Sequence, residues 1–580
     1  MLNKFKINKD VFSYGIITLV FFIVIVRTFY GFDWSDETYY IALPYRFLLG
    51  DSMFIHSWDI HQLSALIILP FVWLYNVFVG GTDGIILFFR ILYTVCQYSV
   101  ALIIFKTLKK YYNKYAVLFT AIVLLIFAPS SISNLSYNTM SLQLFSVAIT
   151  LFIEILHSKR ERKFVGFFCG LTYALSVQAY PYLVITLPLV IIGMITKFKK
   201  EGYDDRKILK NKLKFIGIGI LAVVISFTIF VLCNSSIKNI VNNVKYILSD
   251  PEHISRGPLE PLFSYYDSIV SGYGIIVVAT IATVIITLIT RFIRSDKSKN
   301  IINSMIYILG IIILIKGMII TLESYVPNII MINYLCIPFA LVGPIFYTLA
   351  YRKTKRVFYT FWIGGILYSI AIQYGTNNGL GVSSFGLLFS TLATIIFIFE
   401  SGQELLGSIT SKICMKRIIT IICIAIVGVQ FGLILKYRFI TVYRDGEIST
   451  LTEKLKIGPA KGIYTSSSMA YKYEKVVADI KNNAPEEGTV LYTKLLPFGY
   501  LCTNLSPATP SLWRTQFNSQ RLEKFYELNP NKVPKMIYIV DEKYGFTNSD
   551  NSIDGELKKY IDSNTTKRLE LDSGTMLIIN

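Results

Sequence analysis

Long apolar stretches recur along the first three quarters of the chain. A bilayer core takes roughly 20 apolar residues per helix, and stretches of about this length predict thirteen membrane-spanning helices. The predicted spans lie near residues 11–30, 84–105, 115–133, 135–156, 163–179, 181–196, 213–233, 268–290, 301–322, 328–350, 357–373, 382–399 and 418–436. The pattern therefore predicts a polytopic α-helical membrane protein, in which the first stretch is an uncleaved signal anchor.

One further apolar segment, 61–80, is long enough to span but contains Pro70 and is bracketed by polar residues. Cytoplasmic loops carry an excess of Lys and Arg. If 61–80 does not cross, the loops on the side of the N-terminus hold 30 Lys and Arg, counting the N-terminal tail, and the opposite loops hold four. If it crosses, 27 of those 30 lie outside. We therefore predict an interfacial or re-entrant segment, with Trp58, Trp73 and Tyr75 as residues of the membrane interface.

This topology places the N-terminus in the cytoplasm and two regions outside, namely the first loop (31–83) and everything after 436. The tail alternates segments typical of helices and strands. SSSMAYKYEKVVADIKNNAP and SQRLEKFYELNP predict helices, and GTVLYTK, KMIYIVD and TMLIIN predict strands. We expect a transmembrane domain, 1–436, followed by an extracytoplasmic α/β domain, 437–580.

Composition excludes other classes. The 580 residues are 53% hydrophobic and 16% charged, against about 25% charged in soluble proteins, and the mean hydropathy is +0.53. These values exclude an ordinary soluble enzyme and a disordered chain. The net charge of +20 indicates orientation in a membrane rather than a nucleic-acid partner. The seven cysteines show no CxxC or other metal-type spacing, which argues against a disulfide framework or a zinc site.

The first outer loop concentrates acidic residues and histidines. Asp36 and Glu37 come shortly after the first span, and His56, Asp59 and His61 follow. A helix starting at Asp36 would place the carboxylates at its positive end. The alternative is that Asp36 caps this helix and Glu37 is solvated.

This arrangement resembles the GT-C superfamily of membrane glycosyltransferases, particularly the branch of protein O-mannosyltransferases and lipid A aminoarabinose transferases. Those enzymes carry an Asp-Glu motif in the first outer loop, then an amphipathic juxtamembrane helix ending near Gly-Asp, a further acidic residue, an apolar segment ending in Gly, and an Arg. The matching residues are Asp36, Glu37, Gly50, Asp51, Asp59, Gly80 or Gly81, and Arg90. Two features depart from the pattern: His61-Gln62 stand where Pro-Pro is common, and Asn138 is nearest to the position where relatives often place an Asp in the second outer loop.

The resemblance implies a polyprenyl-phosphate-linked sugar as donor. A phosphate leaves as an anion, so one general base is enough, and Asp36 is the candidate. Glu37 would orient the acceptor or bind a divalent cation such as Mg or Mn together with Asp36, because carboxylates suit hard cations.

The departing phosphate also needs positive charge. Arg90, Arg256 and Lys316 are the outward candidates, and Glu323 lies two turns after Lys316 on the same helix face. The alternative for Lys316 is that it extends to the outer surface. His56, His61, Asp59, Asn138 and His253 complete the predicted substrate contacts.

Taken together, the sequence predicts a membrane glycosyltransferase acting at the outer face on an envelope acceptor, such as a polysaccharide, teichoic acid, glycolipid or protein. Two alternatives remain open, a flippase or transporter for a lipid-linked saccharide and an envelope polysaccharide polymerase or ligase. The richness in Ile, Lys, Asn and Tyr suggests a low-GC bacterial genome, and hence the plasma membrane.

Overall fold

The computed structural model describes residues 9–158, 160–200, 203–249, 256–409, 413–440, 442–493, 495–513, 519–546 and 555–579. Up to residue 440 it is helical. The helices are α1 (Lys9–Arg27), α2 (Asp36–Leu48), α3 (Gln62–Val79), α4 (Ile85–Leu108), α5 (Lys114–Ile126), α6 (Tyr137–His157), α7 (Lys163–Ala179), α8 (Leu187–Lys200), α9 (Tyr203–Asn234), α10 (Ile237–Leu248), α11 (Glu260–Ile289), α12 (Asp296–Glu323), α13 (Asn328–Tyr334), α14 (Ile337–Leu349), α15 (Tyr351–Val357), α16 (Ile363–Tyr374), α17 (Gly379–Ser383), α18 (Leu388–Ile409) and α19 (Ile413–Ile440).

Twelve helical stretches within the described ranges are long and apolar enough to cross a membrane, so the chain is a multi-pass membrane protein. Eleven of them correspond to predicted spans. The twelfth is Gln62–Val79, the segment predicted not to cross. The predicted spans 163–179 and 181–196 form shorter helices, α7 with 17 residues and a 3₁₀ turn, Pro181–Thr186, that leads into α8.

Both ends of α3 lie at the same end of the helical bundle. At its start, the His61 ring stacks on Tyr137 at the beginning of α6, with centroids 4.0 Å apart. Near its end, Tyr75 packs against Phe88 at the beginning of α4, at 5.0 Å. The beginnings of α4 and α6 are neighbours, because the Gln143 side chain of α6 donates to the Tyr93 carbonyl of α4 (3.2 Å). Eighteen residues of helix span about 27 Å, so α3 runs along this end of the bundle.

The C-terminal domain is α/β, as the sequence predicts. Its strands are β1 (Glu453–Lys454), β2 (Tyr464–Thr465), β3 (Thr489–Tyr492), β4 (Ser506–Pro507), β5 (Met536–Val540), β6 (Thr565–Glu570) and β7 (Gly574–Ile579), and its helices are α20 (Ser467–Asn483), α21 (Ser519–Leu528) and α22 (Gly555–Asn564). The main sheet has the order β4-β3-β5-β7-β6. Strand β3 is parallel to β4 and β5, and β7 is antiparallel to β5 and β6.

The C-terminal domain packs directly on the first loop. Phe32 contacts Tyr473 of α20 edge to face, with ring centroids 4.7 Å apart, and lies 5.9 Å from Phe498. The Gly31 amide donates to the Tyr464 carbonyl (2.7 Å). The first loop and the tail therefore share one hydrophobic core.

Trp58 belongs to this interior and not to the membrane interface predicted for it. It is buried, its ring stacks on Tyr246 of α10 at 4.6 Å, and its indole N–H donates to Asn243 (2.9 Å). A buried indole N–H needs an acceptor, and α10 provides one, so the loop before α11 is packed onto the first loop. Trp73 of α3, by contrast, is 53% exposed, as expected for a residue that contacts lipid.

Candidate functional site

The beginning of α2 brings three acidic residues together, and the first of them caps the helix. Asp33 is buried, and its Oδ1 accepts hydrogen bonds from the amides of Ser35 (3.0 Å) and Asp36 (3.2 Å). Its Oδ2 accepts from the amide of Glu37 (3.0 Å). The first amides of a helix lack partners within the helix, and Asp33 supplies them. The alternative in which Asp36 caps the helix is therefore wrong.

The same position changes the pKa of Asp33. Burial, followed by the neighbouring carboxylates of Asp36 and Glu37, raises the pKa of Asp33 to about 8, against the opposing effect of the Ser35 and Glu37 amides. Asp33 is therefore harder to ionise than a free aspartate, and its hydrogen bonds are directed to the amides that it caps.

Glu37 is buried, not solvated, and pairs with Arg90 of α4. The Arg90 Nε donates to Oε1 (2.6 Å) and its Nη2 to Oε2 (2.5 Å). Arg90 also donates to the carbonyls of Thr28 (3.0 Å) and Gly31 (2.7 Å). This two-point pair occupies both partners. Arg90 thus fixes the start of α2 to the end of α1, in place of the phosphate contact that the sequence predicted.

The predicted metal pair, Asp36 and Glu37, does not fit a shared cation. The Arg90 guanidinium takes up both Glu37 oxygens. Across the described ranges, no group of three or more His, Cys, Asp or Glu side chains is arranged to hold a metal ion. We therefore assign no chemistry to a metal at this site.

Asp36 is the member of the acidic trio that reaches the surface, with 18% of its side chain exposed. Its Oδ1 lies 3.4 Å from the Tyr40 hydroxyl. Its Oδ2 accepts from the Ser35 hydroxyl (3.2 Å) and lies 3.4 Å from the Nε of Arg444. The carboxylate is thus held by donors on two sides while one part of it faces solvent.

The chain segment after α19 completes this surface. The Tyr443 hydroxyl also hydrogen-bonds Asp36, and burial together with the nearby carboxylates of Asp36 and Asp33 raises the pKa of Tyr443, which keeps it a donor. The guanidinium of Arg444 lies 5.0 Å above the Trp34 ring. Residues at positions 36 and 444 therefore meet although the sequence separates them by most of the chain.

A group of stacked rings begins at Tyr40, whose hydroxyl faces Asp36. Tyr40 packs edge to face on Tyr137 at 5.6 Å, and His61 stacks on the other part of that ring. The Asn138 Oδ1 is buried beside Tyr137 and has no partner within the described residues. Aromatic walls with a few oriented polar groups are typical of binding sites for uncharged polar ligands. His61 and Asn138 thus lie beside Tyr137, and their role as substrate contacts stays a prediction.

Asp33 and Glu37 line a small cavity. It has a volume of about 20 Å³ and is lined in part by Arg27, Arg90, Ser131 and Tyr443. That volume holds one water molecule and is far too small for a sugar. A substrate would therefore approach Asp36 from the exposed side.

Asp51 lies in a second charged cluster that joins the first loop to the C-terminal domain. Arg46 of α2 is completely buried, and its Nε donates to Asp51 Oδ2 (2.7 Å). The other oxygen of Asp51 pairs with the ammonium of Lys532 and accepts from the Ser506 hydroxyl (3.0 Å). One carboxylate thus links α2 to two segments of the tail.

His56 and Asp59 belong to the same joint, and this placement corrects their predicted role as substrate contacts. The Nδ1 of His56 accepts from the Ser52 amide (2.9 Å), and the His56 carbonyl accepts from Arg46 (2.6 Å). Burial lowers the pKa of His56 to about 4; Asp51 opposes this shift, and Lys532 and Arg46 add to it. Asp59 Oδ1 accepts from the Ser511 hydroxyl (2.6 Å). Both side chains serve interdomain packing.

The remaining predicted residues are not brought to Asp36. Lys316 and Glu323 are exposed on α12, and no ion pair joins them in the described part of the chain. Lys316 lies among exposed isoleucines, including Ile315 and Ile319, so it faces the bilayer and can extend to the outer surface. Arg256 donates to Asn377 (2.7 Å), and His253 lies outside the described residues.

Asp33, Tyr443 and Arg444 are the site residues that sequence reasoning missed. The signal for the last two is the polar run VYRDG directly after the last span, where the chain returns to the surface that bears Asp36. Asp33 was visible three residues before Asp36, at the usual distance of a capping side chain.

Comparisons with known proteins show a distant likeness. No protein-family model and no curated protein matches the chain. Two solved structures of an oligosaccharyltransferase from Archaeoglobus fulgidus are similar. One, archaeal AglB in complex with an inhibitory peptide and a dolichol-phosphate, has 12% identity and a TM-score of 0.48, covering 92% of this chain and 70% of that one. The other, a complex with Zn and sulfate, has 10% identity and a TM-score of 0.49, covering 91% and 68%. At these values the likeness identifies no activity.

Proposed function

We propose that this protein is a membrane glycosyltransferase. It transfers a sugar from a polyprenyl-phosphate carrier to a hydroxyl group of a cell-envelope acceptor, at the outer face of the membrane. The observation that carries the proposal is that three carboxyls at the start of α2 have different surroundings. Asp33 caps the helix and is buried, Glu37 is paired with Arg90, and Asp36 remains partly exposed next to Tyr40.

The orientation rests on charge. The loops on the side of the N-terminus carry 30 Lys and Arg, against four on the opposite side, when α3 does not cross. The contacts at both ends of α3 support this topology, because they lie at one end of the bundle. We therefore place Asp36 and the C-terminal domain outside, with α2 and α3 along the interface.

Asp36 acts as the general base. The acceptor oxygen attacks the anomeric carbon, the bond between that carbon and the phosphate oxygen breaks, and the phosphate leaves with the bonding electrons. The proton of the acceptor hydroxyl passes to Asp36, and no general acid is needed because the leaving group is already an anion. Tyr40 and Tyr443 hold the carboxylate in place by donating to it.

The proposal is tested by replacing Asp36 with Asn in lipid-reconstituted protein. The protein is supplied with a panel of undecaprenyl-phosphate-linked hexoses and pentoses and an envelope extract, and the released undecaprenyl phosphate is measured. Loss of a positioned base lowers the rate by about 10²- to 10⁴-fold. We therefore expect the rate of undecaprenyl-phosphate release by Asp36→Asn to be at least about 100-fold below that of wild type.

Asp83→Asn is the matched control. Asp83 is also a partly exposed carboxylate of the first loop, and it pairs with Lys481 of α20. We expect this variant to keep the wild-type rate, and both variants to melt close to wild type. Unchanged release in a folded Asp36→Asn protein would remove Asp36 as the base.

A further inference from the structure

The backbone at Arg444 has an unusual conformation. Arg444 is one of four non-glycine residues within the described ranges that have a positive φ, at 58°. A positive φ at a residue with a side chain has a conformational cost, and it persists only where contacts with the rest of the structure hold the backbone in place. Here the imposing contacts come from Asp445, whose Oδ2 accepts from the Phe32 amide (2.7 Å) and from the Thr465 hydroxyl (2.5 Å). The turn at Arg444 is thus held against the first loop by the hydrogen bond between Asp445 and Phe32.

This turn places the guanidinium of Arg444 next to the Asp36 carboxylate. The Nε of Arg444 lies 3.4 Å from Asp36 Oδ2, and 32% of the Arg444 side chain is exposed. Its guanidinium lies over the rings of Trp34 at 5.0 Å and Tyr443 at 5.1 Å. Stacking on two rings keeps the planar group in place while its outer edge faces solvent.

The other arginines near the site are committed to the fold. Arg27 and Arg438 are buried and donate to backbone carbonyls, Arg27 to Tyr30 (2.7 Å) and Arg438 to Ile126. Arg90 pairs with Glu37. Unlike these three buried arginines, Arg444 has an exposed guanidinium edge that can contact a ligand.

We propose that Arg444 binds the phosphate of the lipid-linked donor, and that its ion pair with Asp36 masks the base until that phosphate arrives. This inference rests on the proposed function. A guanidinium binds phosphate oxygens in two-point fashion, with charge-assisted hydrogen bonds. A partly exposed ion pair at 3.4 Å is weak by comparison. A bound phosphate therefore draws the guanidinium away from Asp36.

The exchange has two consequences for the reaction. The Asp36 carboxylate loses its contact with Arg444 and is free to accept a proton from the acceptor hydroxyl when a donor is present. The phosphate also gains negative charge as the bond to the sugar breaks, and a guanidinium already in contact stabilises that charge. The site thus favours binding of the donor before deprotonation of the acceptor.

The test is a binding measurement that requires no turnover. Purified full-length protein in detergent micelles is titrated with geranylgeranyl phosphate and, in parallel, with geranylgeraniol. We expect wild type to prefer the phosphate by at least about 10-fold, as charge-assisted hydrogen bonds imply. Arg444→Gln and Arg444→Gly should lose that preference, and Arg444→Lys should retain part of it.

Arg444→Gly guards against misfolding, because glycine adopts φ of 58° without strain. Arg568→Gln is the matched control. Arg568 is an exposed arginine of β6 paired with Glu570, and its loss should leave the preference unchanged. Phosphate binding by Arg444→Gly equal to wild type would overturn the inference.

Asp36→Asn separates this inference from the proposed function. This variant removes the carboxylate that competes with phosphate for Arg444. It should therefore bind geranylgeranyl phosphate at least as tightly as wild type, while its rate of sugar transfer falls. Weakened phosphate binding in Asp36→Asn would contradict the masking step. Retained transfer in Asp36→Asn would refute Asp36 as the general base, and it would not affect the inference that Arg444 binds phosphate.

Discussion

At the scale of single residues, neighbouring carboxyls in one turn have different roles because their surroundings differ. Asp33 meets backbone amides in a buried position, and burial raises its pKa. Glu37 meets the guanidinium of Arg90 in the interior. A buried pair of this kind is costly to break from one side, because the remaining charge has no partner.

Glu37→Gln should therefore destabilise the protein strongly. It leaves the Arg90 guanidinium buried without a counter-charge, and we expect a loss of about 3–5 kcal/mol, measured as a lower melting temperature of the detergent-solubilised protein. Glu570→Gln removes the carboxylate of an exposed pair and should leave melting nearly unchanged. Equal melting of the two variants would show that the Glu37–Arg90 pair contributes little.

At the scale of elements, the connection between α1 and α2 is shaped by the C-terminal domain. Gly31 has a φ of 83°, and a Cβ at this position would overlap the side chain of Val442. Its amide donates to Tyr464, and its carbonyl accepts from Arg90. Glycine is needed here for both its conformation and its size.

Gly31→Ala should accordingly loosen the contact between the first loop and the C-terminal domain, measured as faster proteolysis of the tail and a lower melting temperature. Gly50→Ala is the control for backbone strain alone, because Gly50 has a φ of 94° and open space around it. We expect Gly50→Ala to cost about 1 kcal/mol and Gly31→Ala clearly more. Similar costs would mean that contact with Val442 is unimportant.

At the scale of the whole molecule, the tail is joined to the membrane domain through a charged cluster whose balance depends on pH. Burial lowers the pKa of His56 to about 4, below the usual 6.5. Its Nδ1 accepts a hydrogen bond, which protonation would abolish. A group with a lowered pKa in the folded state takes up protons more readily when unfolded, so the folded state loses stability as pH falls from about 6.5 towards 4.

Wild type should therefore melt at progressively lower temperatures between pH 6.5 and 4. His56→Asn keeps an acceptor near the Ser52 amide but cannot titrate in this range. We expect it to be somewhat less stable than wild type at pH 7 and to show a shallower decline below pH 6.5. Parallel profiles for the two proteins would exclude His56 as the source of the pH dependence.

The candidate site could be predicted only in part, as the acidic residues after α1 illustrate. Their position follows from the apolar pattern, so Asp36 was found from the sequence. The assignments of Glu37, Arg90 and Asp59 depended on partners tens to hundreds of residues away. Periodicity reports which residues share a face of one element, and it carries no information on which side chain of another element meets them.

The sequence alone determined that this chain is a multi-pass helical membrane protein with an α/β tail and a cluster of acids after the first helix. Apolar length and strand–helix alternation are local properties, and the bilayer and the hydrophobic effect act on them directly. Only the tertiary structure decided which of those acids is accessible and that Arg444 meets it. Ion pairs and burial arise where distant segments pack, and a linear pattern does not encode those contacts.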